Sequence, residues 1–418
     1  KDLTDCGSCH TDAGADADSW KETPTREACG SCHDDVDFDT GENHGSGGSQ
    51  PLPQEDNRFC RNCHPADGER TAALLPVDAT HSAKAREAAL YRGMGNGYLL
   101  ESVSHDPVSD SVQIDFAVVR DGVPLDLESA PEFGPGARLA LALSWNNDEF
   151  DNVGSGSTPA LPVSVNALDV GGVVSDLGTG SYRALIPRPS SATDAATVHL
   201  EGHPVADLDG DGTFDGNVPV RSVLATLDVD GGRGASTPRR VVVDSAKCNQ
   251  CHDSAGAGLS IHGDNRVGDI QVCTTCHNPD ATDVNRRPDD PTTTPDGKGE
   301  VSIDLKRLIH QIHSGEELED GLFVYGFGGR VNDFSEVRFI GNRRNCETCH
   351  LPGTYSTEAA SVTAPSTVDT GDDASDSTDD LNVSPTASVC ESCHDGAVAR
   401  GHMELNGASF SALDANIR

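Results

Sequence analysis

The chain has 418 residues, of which 68 are acidic and 30 are basic, so its formal net charge is −38. A surface this acidic repels phosphate backbones and anionic lipid headgroups, which argues against a protein that binds nucleic acid or a membrane surface. No run of about 18 apolar residues is present, so we expect no membrane span.

The first predicted element is an N-terminal module, residues 1–97, which contains three Cys-x-x-Cys-His motifs. This motif is typical of covalent c-type haem attachment. Residues i, i+3 and i+4 share one face of a helical turn, so two thiols can bind the haem vinyl groups while the histidine binds the iron. The three motifs are Cys6–Cys9–His10, Cys29–Cys32–His33 and Cys60–Cys63–His64.

The second predicted element, residues 98–245, contains no cysteine and has the pattern of an all-β domain. Apolar residues alternate over 112–118 and again over 139–145, and Asp121-Gly122 predicts a tight turn. Gly, Pro, Asn and Asp separate the runs. Several short alternating strands of this kind predict a β-sandwich or barrel. The further predicted strands are 161–165, 182–186, 196–200, 219–229 and 239–243.

An acidic loop within this segment resembles the first part of an EF-hand calcium loop. Oxygen-bearing residues alternate and Gly212 stands at the sixth position, but the twelfth position holds Val218 in place of the bidentate Glu. The pattern leaves two interpretations open, a structural Ca²⁺ site and an acidic turn. The candidate calcium ligands are Asp207, Asp209, Asp211, Thr213 and Asp215.

The third predicted element is a C-terminal module, residues 246–418, with four further motifs. Structural zinc or disulfides could use paired cysteines, but neither explains a histidine after every pair. The seven motifs use all 14 cysteines, so we predict seven covalent c-type haems. The four motifs are Cys248–Cys251–His252, Cys273–Cys276–His277, Cys346–Cys349–His350 and Cys390–Cys393–His394. Two stretches between them, 281–299 and 356–388, are rich in polar residues and are expected to be solvated loops.

Each haem of a low-spin electron carrier needs a second axial ligand, and the sequence favours histidine for it. Nine histidines lie outside the motifs, against two methionines. His44 and His262 occupy equivalent places in an internal repeat, between the second and third and between the fourth and fifth motifs. His310 and His313 lie on a helix predicted to begin at Ser302. The other candidate distal ligands are His81 and His402, with His105 or His203 as the seventh, whereas His199 is expected on the surface.

The sequence therefore predicts a haem-packed, irregular cytochrome with short helices plus an all-β sandwich or barrel. Covalent haem is attached outside the cytoplasm, so we expect an extracellular or cell-surface protein whose signal peptide has been removed. The predicted function is an electron conduit without a catalytic residue. Motifs near both ends of the chain suggest head-to-tail polymerisation into a filament. The alternative is a multihaem reductase with one open haem position.

The sequence resembles the OmcA/MtrC family of outer-surface multihaem c-type cytochromes. The similarity is strongest in five segments: 247–252, 262–266, 273–279, 309–313 and 345–350. It implies a β-domain beside a multihaem domain, with His262, His310 and His313 as distal ligands. It also implies electron delivery to metal oxides, soluble acceptors or other redox proteins. The chain departs from the family in having seven motifs, where the family has ten haems.

Overall fold

The computed structural model describes residues 6, 17–33, 35–44, 53–54, 56–67, 77, 81, 95–150, 152, 160–207, 213–214, 216–230, 236–249, 252, 258–339, 342–357, 363–374 and 376–413. The chain forms two compact units. The smaller consists of residues 1–93 and 249–258, and the larger of 94–248 and 259–418. The predicted β-domain and most of the C-terminal module thus share the larger unit.

Two antiparallel sheets form the β-domain of the larger unit. The first has the strand order β1-β2-β7-β6 with β3 beside β2, and the second has the order β11-β8-β4-β5. Contacts between β1 and β11 and between β5 and β7 join the sheets at their edges. The strands are β1 Asn96–Asp106, β2 Ser111–Arg120, β3 Val123–Pro124, β4 Arg138–Trp145, β5 Val163–Asn166, β6 Val174–Gly178, β7 Ser181–Pro187, β8 Ala195–His203, β9 Val205–Ala206, β10 Gly216–Asn217 and β11 Val223–Asp228.

Side chains at alternating positions of these strands pack together as the hydrophobic core of the β-domain. Ile114 and Phe116 on β2, Leu141 on β4 and Leu200 on β8 have no exposed surface. Burying one such side chain contributes about 1.5–3 kcal/mol. The predicted turn between β2 and β3 is present: Asp121 has φ 50° and Gly122 has φ 78°, the positive angles of a two-residue hairpin turn. The sequence pattern missed β1 and β6, and 239–243 does not form a strand.

Strand β8 is buried on both faces, which corrects the expectation for His199. One face carries Val198 and Leu200 into the core, and the other carries His199 and Glu201, which are 1% and 6% exposed. Glu201 is covered because Arg266, from the C-terminal module, binds it. His199 is therefore an interior residue of the larger unit.

The haem-motif segments contain short helices and two- or three-stranded ribbons, as expected for the fold class. Among the described residues, no helix is both long and apolar enough to span a membrane. The α-helices are α1 Ser19–Glu22, α2 Arg26–Cys29, α3 Cys60–Cys63, α4 Ser245–Cys248, α5 Ile270–Cys276, α6 Leu305–Ser314, α7 Pro385–Glu391 and α8 Ala397–Leu405. The strands are β12 Ser260–Ile261, β13 Arg266–Val267, β14 Phe323–Tyr325, β15 Val331–Asp333, β16 Ser366–Asp369, β17 Leu381–Val383 and β18 Ala412–Leu413.

The stretch 281–299 is a loop in which most residues are exposed, as its composition predicts, but it differs from a wholly solvated loop at Arg287. The Arg287 side chain is fully buried and pairs with Asp283 at 2.9 Å and with Asp296 at 2.8 Å. Its Nη2 also donates to the carbonyl of Phe323 at 2.6 Å. A buried charge is tolerated when it is paired and hydrogen-bonded in this way. The stretch 356–388 likewise differs from a solvated loop, since it includes β16, β17 and the start of α7.

Candidate haem sites

Each motif that the structure describes from its first cysteine to its histidine closes one helical turn. The histidine N–H donates to the carbonyl of the first cysteine, so both residues lie on one side of the turn. The distances are 2.9 Å for His33–Cys29, 2.8 Å for His64–Cys60, 2.9 Å for His277–Cys273, 2.9 Å for His350–Cys346 and 3.0 Å for His394–Cys390. The local backbone therefore has the form that the motif spacing predicts.

Three motif histidines face a second histidine, ring against ring. His64 stacks on His44 with the ring centroids 6.3 Å apart and an angle of 26° between the planes. His277 stacks on His262 at 6.1 Å and 22°. His350 stacks on His310 at 5.9 Å and 6°. In each case a candidate distal ligand meets a proximal one.

The ring separation matches the space that an iron atom needs between two imidazoles. A histidine nitrogen binds a metal at about 2 Å, and the ring centre lies about 1 Å further away, so two opposed ligands have centroids about 6 Å apart. Rings in direct van der Waals stacking lie closer together, with their atoms about 3.5–4 Å apart. The three pairs therefore have the spacing of axial ligands to one metal.

Backbone carbonyls fix the orientation of several of these rings. The Nδ1–H of His277 points at the carbonyl of Ile303 at 2.8 Å, and that of His310 at the carbonyl of Lys306 at 2.6 Å. His313 has the same arrangement, with the carbonyl of Ile309 at 2.8 Å. A ring whose Nδ1 carries the proton presents Nε2 as the ligand atom. These contacts thus prepare the rings for metal ligation through Nε2.

Burial keeps the paired imidazoles neutral, which is the form that ligates a metal. The pKa of His262 is lowered to about 4, by burial first and then by the charge of Arg266. The pKa of His350 is also lowered to about 4, by burial and by His310. Burial likewise lowers the pKa of His277 and of His310. All four imidazoles are therefore unprotonated at neutral pH.

Motifs of the larger unit lie next to one another. Lys247, just before Cys248, donates through Nζ to the carbonyls of Glu347 and His350 in the sixth motif, both at 2.7 Å. Ser245 Oγ accepts the N–H of Ile270 at 3.1 Å, at the start of the fifth-motif helix α5. The beginning of the fourth motif therefore adjoins both the fifth and the sixth.

Helix α6 connects the sixth motif to the seventh. His310 faces His350 of the sixth motif, and one turn later Ser314 Oγ lies 3.3 Å from Cys393 Sγ of the seventh. Arg307 pairs with Glu391, inside the seventh motif, at 2.8 Å. The helix begins at Leu305 with Asp304 as its N-cap, two residues after the predicted Ser302. Ser302 lies in the loop before the helix, where its Oγ accepts a hydrogen bond from the N–H of Asp304 at 3.4 Å.

The other candidate distal ligands have different surroundings. His81 makes an edge contact with Trp20 at 6.5 Å in the smaller unit. His105 is at the end of β1 with Nε2 3.0 Å from Asp110, and His203 is buried on β8 with Nδ1 3.3 Å from the carbonyl of Pro204. His402 is an exposed residue of α8. Among the described residues of the larger unit, neither His105 nor His203 stacks on a motif histidine, so this geometry does not decide between them.

Some predicted site residues lie outside the described residues, namely Cys9, His10, Cys251, Asp209, Asp211 and Asp215. Sequence reasoning also missed two charged pairs, Arg307–Glu391 and Glu201–Arg266. The partners are 84 and 65 positions apart along the chain, so no local sequence pattern predicts that they pair. For the Arg307–Glu391 pair, the sequence signal is the acidic residue Glu391 between the two cysteines of the seventh motif.

Comparisons with known proteins agree with the resemblance noted in the sequence. Residues 240–417 match the family model described as outer membrane cytochrome MtrC/MtrF-like, domains II/IV, and residues 2–38 match a doubled CXXCH motif. The crystal structure of MtrC from Shewanella baltica OS185 is similar at a TM-score of 0.54 and 19% identity, over 99% of this chain and 62% of that one. That of the outer membrane decaheme cytochrome OmcA is similar at 0.54 and 19%, over 98% and 56%. The chain thus spans about three fifths of these relatives, and no curated protein sequence matches it.

Proposed function

We propose that this chain is an outer-surface multihaem c-type cytochrome of the OmcA/MtrC family and that it carries electrons to acceptors outside the cell. The match of residues 240–417 to the MtrC/MtrF-like family model supports this proposal. The two cysteines and the histidine of each motif would hold a covalent haem, which would supply one-electron redox chemistry. The chain's own residues hold the haems, supply their axial ligands and set the charges around them. The product of the reaction is a reduced external acceptor, and no substrate bond is made or broken in the protein.

The observation that carries the proposal is the set of three stacked histidine pairs. Two strong nitrogen ligands leave no open position on an iron, which suits electron transfer and disfavours binding of a substrate to the metal. The pairs would ligate the haems of the third, fifth and sixth motifs. The ligands of those haems are His44 with His64, His262 with His277 and His310 with His350.

The remaining motifs extend the same plan to seven haems. His10, His33, His252 and His394 would be the proximal ligands of the first, second, fourth and seventh haems. His81, His313 and His402 are proposed as three of their distal partners, and the fourth is His105 or His203. The contacts between the fourth, fifth and sixth motifs and along α6 support a continuous path through the C-terminal haems.

The proposed acceptors are metal oxides, soluble electron acceptors or other redox proteins, including a second copy of the chain. We place the protein at the cell surface, exported with the aid of a signal peptide, with residues 1–97, 98–245 and 246–418 as a trihaem module, a β-domain and a tetrahaem module. Head-to-tail assembly into a filament would join the haems of successive copies. Electron microscopy of the concentrated protein tests that assembly: filaments support it, and particles of single-chain size contradict it.

The experiment that tests the proposal is the ligation state of the purified ferric protein. EPR and near-infrared magnetic circular dichroism should give seven low-spin bis-histidine haems, and the reduced protein should bind no carbon monoxide. One high-spin haem that binds carbon monoxide would contradict the conduit and favour the alternative, a multihaem reductase with an open iron. Haem quantification by pyridine haemochrome should give seven haems per chain, and a smaller number would contradict the count.

A further inference from the structure

A partly buried ion pair joins the β-domain to the segment between His262 and the fifth motif. Arg266, on β13, donates two hydrogen bonds to Glu201, on β8: Nε to Oε2 at 3.0 Å and Nη2 to Oε1 at 2.6 Å. The carboxylate of Glu201 is nearly inaccessible, with 8% of its side chain exposed. A bidentate pair of this kind fixes the planar guanidinium in one orientation. Both charges therefore have fixed positions, that of Glu201 in the interior and that of Arg266 at its edge, with 34% of the Arg266 side chain exposed.

The carboxylate is held from its other side as well. His199, the neighbour of Glu201 on the same face of β8, has its Nε2 3.2 Å from Glu201 Oε2. Burial raises the pKa of Glu201, but His199 and Arg266 together outweigh burial and lower it. Glu201 is therefore a carboxylate, and it faces a permanently charged guanidinium.

The ion pair lies beside the ligand set of the fifth motif: Arg266 pairs with Ile261 across the β12–β13 ribbon, next to His262, and Asn265 Nδ2 donates to the carbonyl of His262 at 2.7 Å. Arg266 follows His262 by four residues, and its charge lowers the pKa of His262 and of His277 in addition to burial. Burial raises the pKa of the Cys276 thiol to about 11, with Arg266 acting against that rise and Glu201 adding to it. Glu201 also opposes the fall in the pKa of His262. The two groups thus influence His262 and Cys276 with opposite signs, and Arg266 also acts on His277.

Charges in a buried site interact more strongly than charges in water, because little solvent screens them. A nearby positive charge disfavours the ferric state, which carries one more positive charge than the ferrous state, and a nearby negative charge favours it. Local electrostatics of this kind is one of the means by which a protein sets a haem potential.

We propose that the Glu201–Arg266 pair sets the reduction potential of the haem of the fifth motif, Arg266 raising it and Glu201 lowering it. This inference rests on the proposed ligation of that haem by His262 and His277. It makes the β-domain a source of the electrostatic field at one haem, in addition to its role in the fold.

The test is a spectropotentiometric titration of three variants of the full haem-loaded protein. E201Q should raise the potential of one haem component, and R266M should lower the potential of the same component. Each change should shift the ferric-to-ferrous ratio of that haem at fixed potential by about tenfold, which corresponds to about 59 mV for one electron. The double variant E201Q/R266M should return close to the wild-type potential, because both charges are then absent.

The component is identified with H262M, which should change the potential and spectrum of the fifth-motif haem alone. The matched control is D115N, which breaks the bidentate Arg183–Asp115 pair on β7 and β2 and should leave every haem potential unchanged. R266K, which keeps the charge, should retain most of the wild-type potential. Shifts of the same sign in E201Q and R266M, or no shift in either, would overturn the inference while the low-spin EPR signal remains. Loss of that signal in the wild-type protein would instead contradict the proposed ligation.

Discussion

The imidazole rings of His310 and His350 are nearly parallel, with centroids 5.9 Å apart and an angle of 6° between the planes. The two residues come from different elements, since His310 lies on α6 and His350 ends the sixth motif. The Nδ1 of His310 is occupied by the carbonyl of Lys306, so its Nε2 is the atom available to a metal. The pair is thus the ligand set that we propose for the haem of the sixth motif, and each residue can be tested separately.

Replacing His310 with alanine should open the sixth axial position of one haem. We expect H310A to gain one high-spin ferric EPR signal and to bind one carbon monoxide per chain in the reduced form, with the haem still attached through Cys346 and Cys349. H199A is the control, because His199 lies beside Glu201 on β8 and is not among the candidate ligands. An H310A protein that stays fully low-spin would show that another residue is the ligand.

The internal repeat predicts that H44A and H262A behave alike. In both places a histidine between two motifs stacks on the histidine of the later motif, at 6.3 Å and 6.1 Å. Each variant should therefore acquire one carbon-monoxide-binding haem, and the double variant should acquire two. Titration of the reduced proteins with carbon monoxide measures this number directly. A double variant that binds only one carbon monoxide would contradict the equivalence.

Breaking the Arg307–Glu391 pair should destabilise the larger unit. Both side chains are buried, 8% and 7% exposed. Glu391 also binds Arg400 at 2.9 Å, so it is the removal of Glu391 that leaves a buried charge, that of Arg307, without its partner. We expect E391Q to lower the free energy of unfolding by about 3 kcal/mol. Chemical denaturation followed by circular dichroism measures the loss. R338M, which breaks the exposed Arg338–Glu316 pair, should cost much less. Equal losses in the two variants would contradict the argument.

Asp380 should make stability depend on pH. Burial, with the charges of Asp379, Glu300 and Asp369, raises its pKa from 3.8 to about 6, although a hydrogen bond from Thr367 opposes the rise. Between pH 3.8 and about 6 the folded state binds more protons than the unfolded state. The contribution of Asp380 to the free energy of unfolding therefore falls as pH increases.

The variant D380N removes the ionisable group that causes this loss of stability. It should be more stable than the wild type at pH 7, by about 1–2 kcal/mol after allowance for solvent screening, and equally stable at pH 3.8. Thermal unfolding at the two pH values measures the difference. D376N is the control, because hydrogen bonds from Thr378 lower the pKa of Asp376 and the substitution should bring no gain at pH 7. A gain for D380N that is the same at both pH values would contradict the assignment.

If the acidic loop 207–215 binds calcium, which is one of the two interpretations of its sequence pattern, the ion should stabilise the β-domain. The loop connects β9 to β10, so a bound ion would restrain a hairpin. At a calcium concentration 100 times the dissociation constant the gain is about 2.7 kcal/mol. The melting temperature of chelator-treated protein should rise on addition of calcium, and D209N/D211N should abolish the rise. D228N, on β11, should retain it.

Features that depend on local patterns could be predicted from the sequence. The cysteine spacing predicted the helical turn of each fully described motif, and the alternation over 112–118 predicted β2. The positive φ angles of Asp121 and Gly122 follow from the same local chemistry. These features need only neighbouring residues, so a single sequence contains the information.

Features that depend on distant contacts could not be predicted. The alternation around His199 indicated a strand with one exposed face, but Arg266 covers that face from another part of the chain. Arg287 lies in a stretch whose composition is that of a loop, yet two acidic partners bury it. Which histidine faces which motif is likewise a property of the folded chain, as the His310–His350 pair illustrates.

The burial of β8 on both faces has a consequence for how the larger unit unfolds. Its backbone pairs with β4 and β11, and its side chains contact the core on one side and Arg266 on the other. A strand in this position can release its amide protons only when the surrounding structure opens, so these amides should be among the slowest to exchange with deuterated solvent. The β-domain and the fifth-motif region should then unfold as one cooperative unit. Limited proteolysis should accordingly not release the β-domain as a separate fragment.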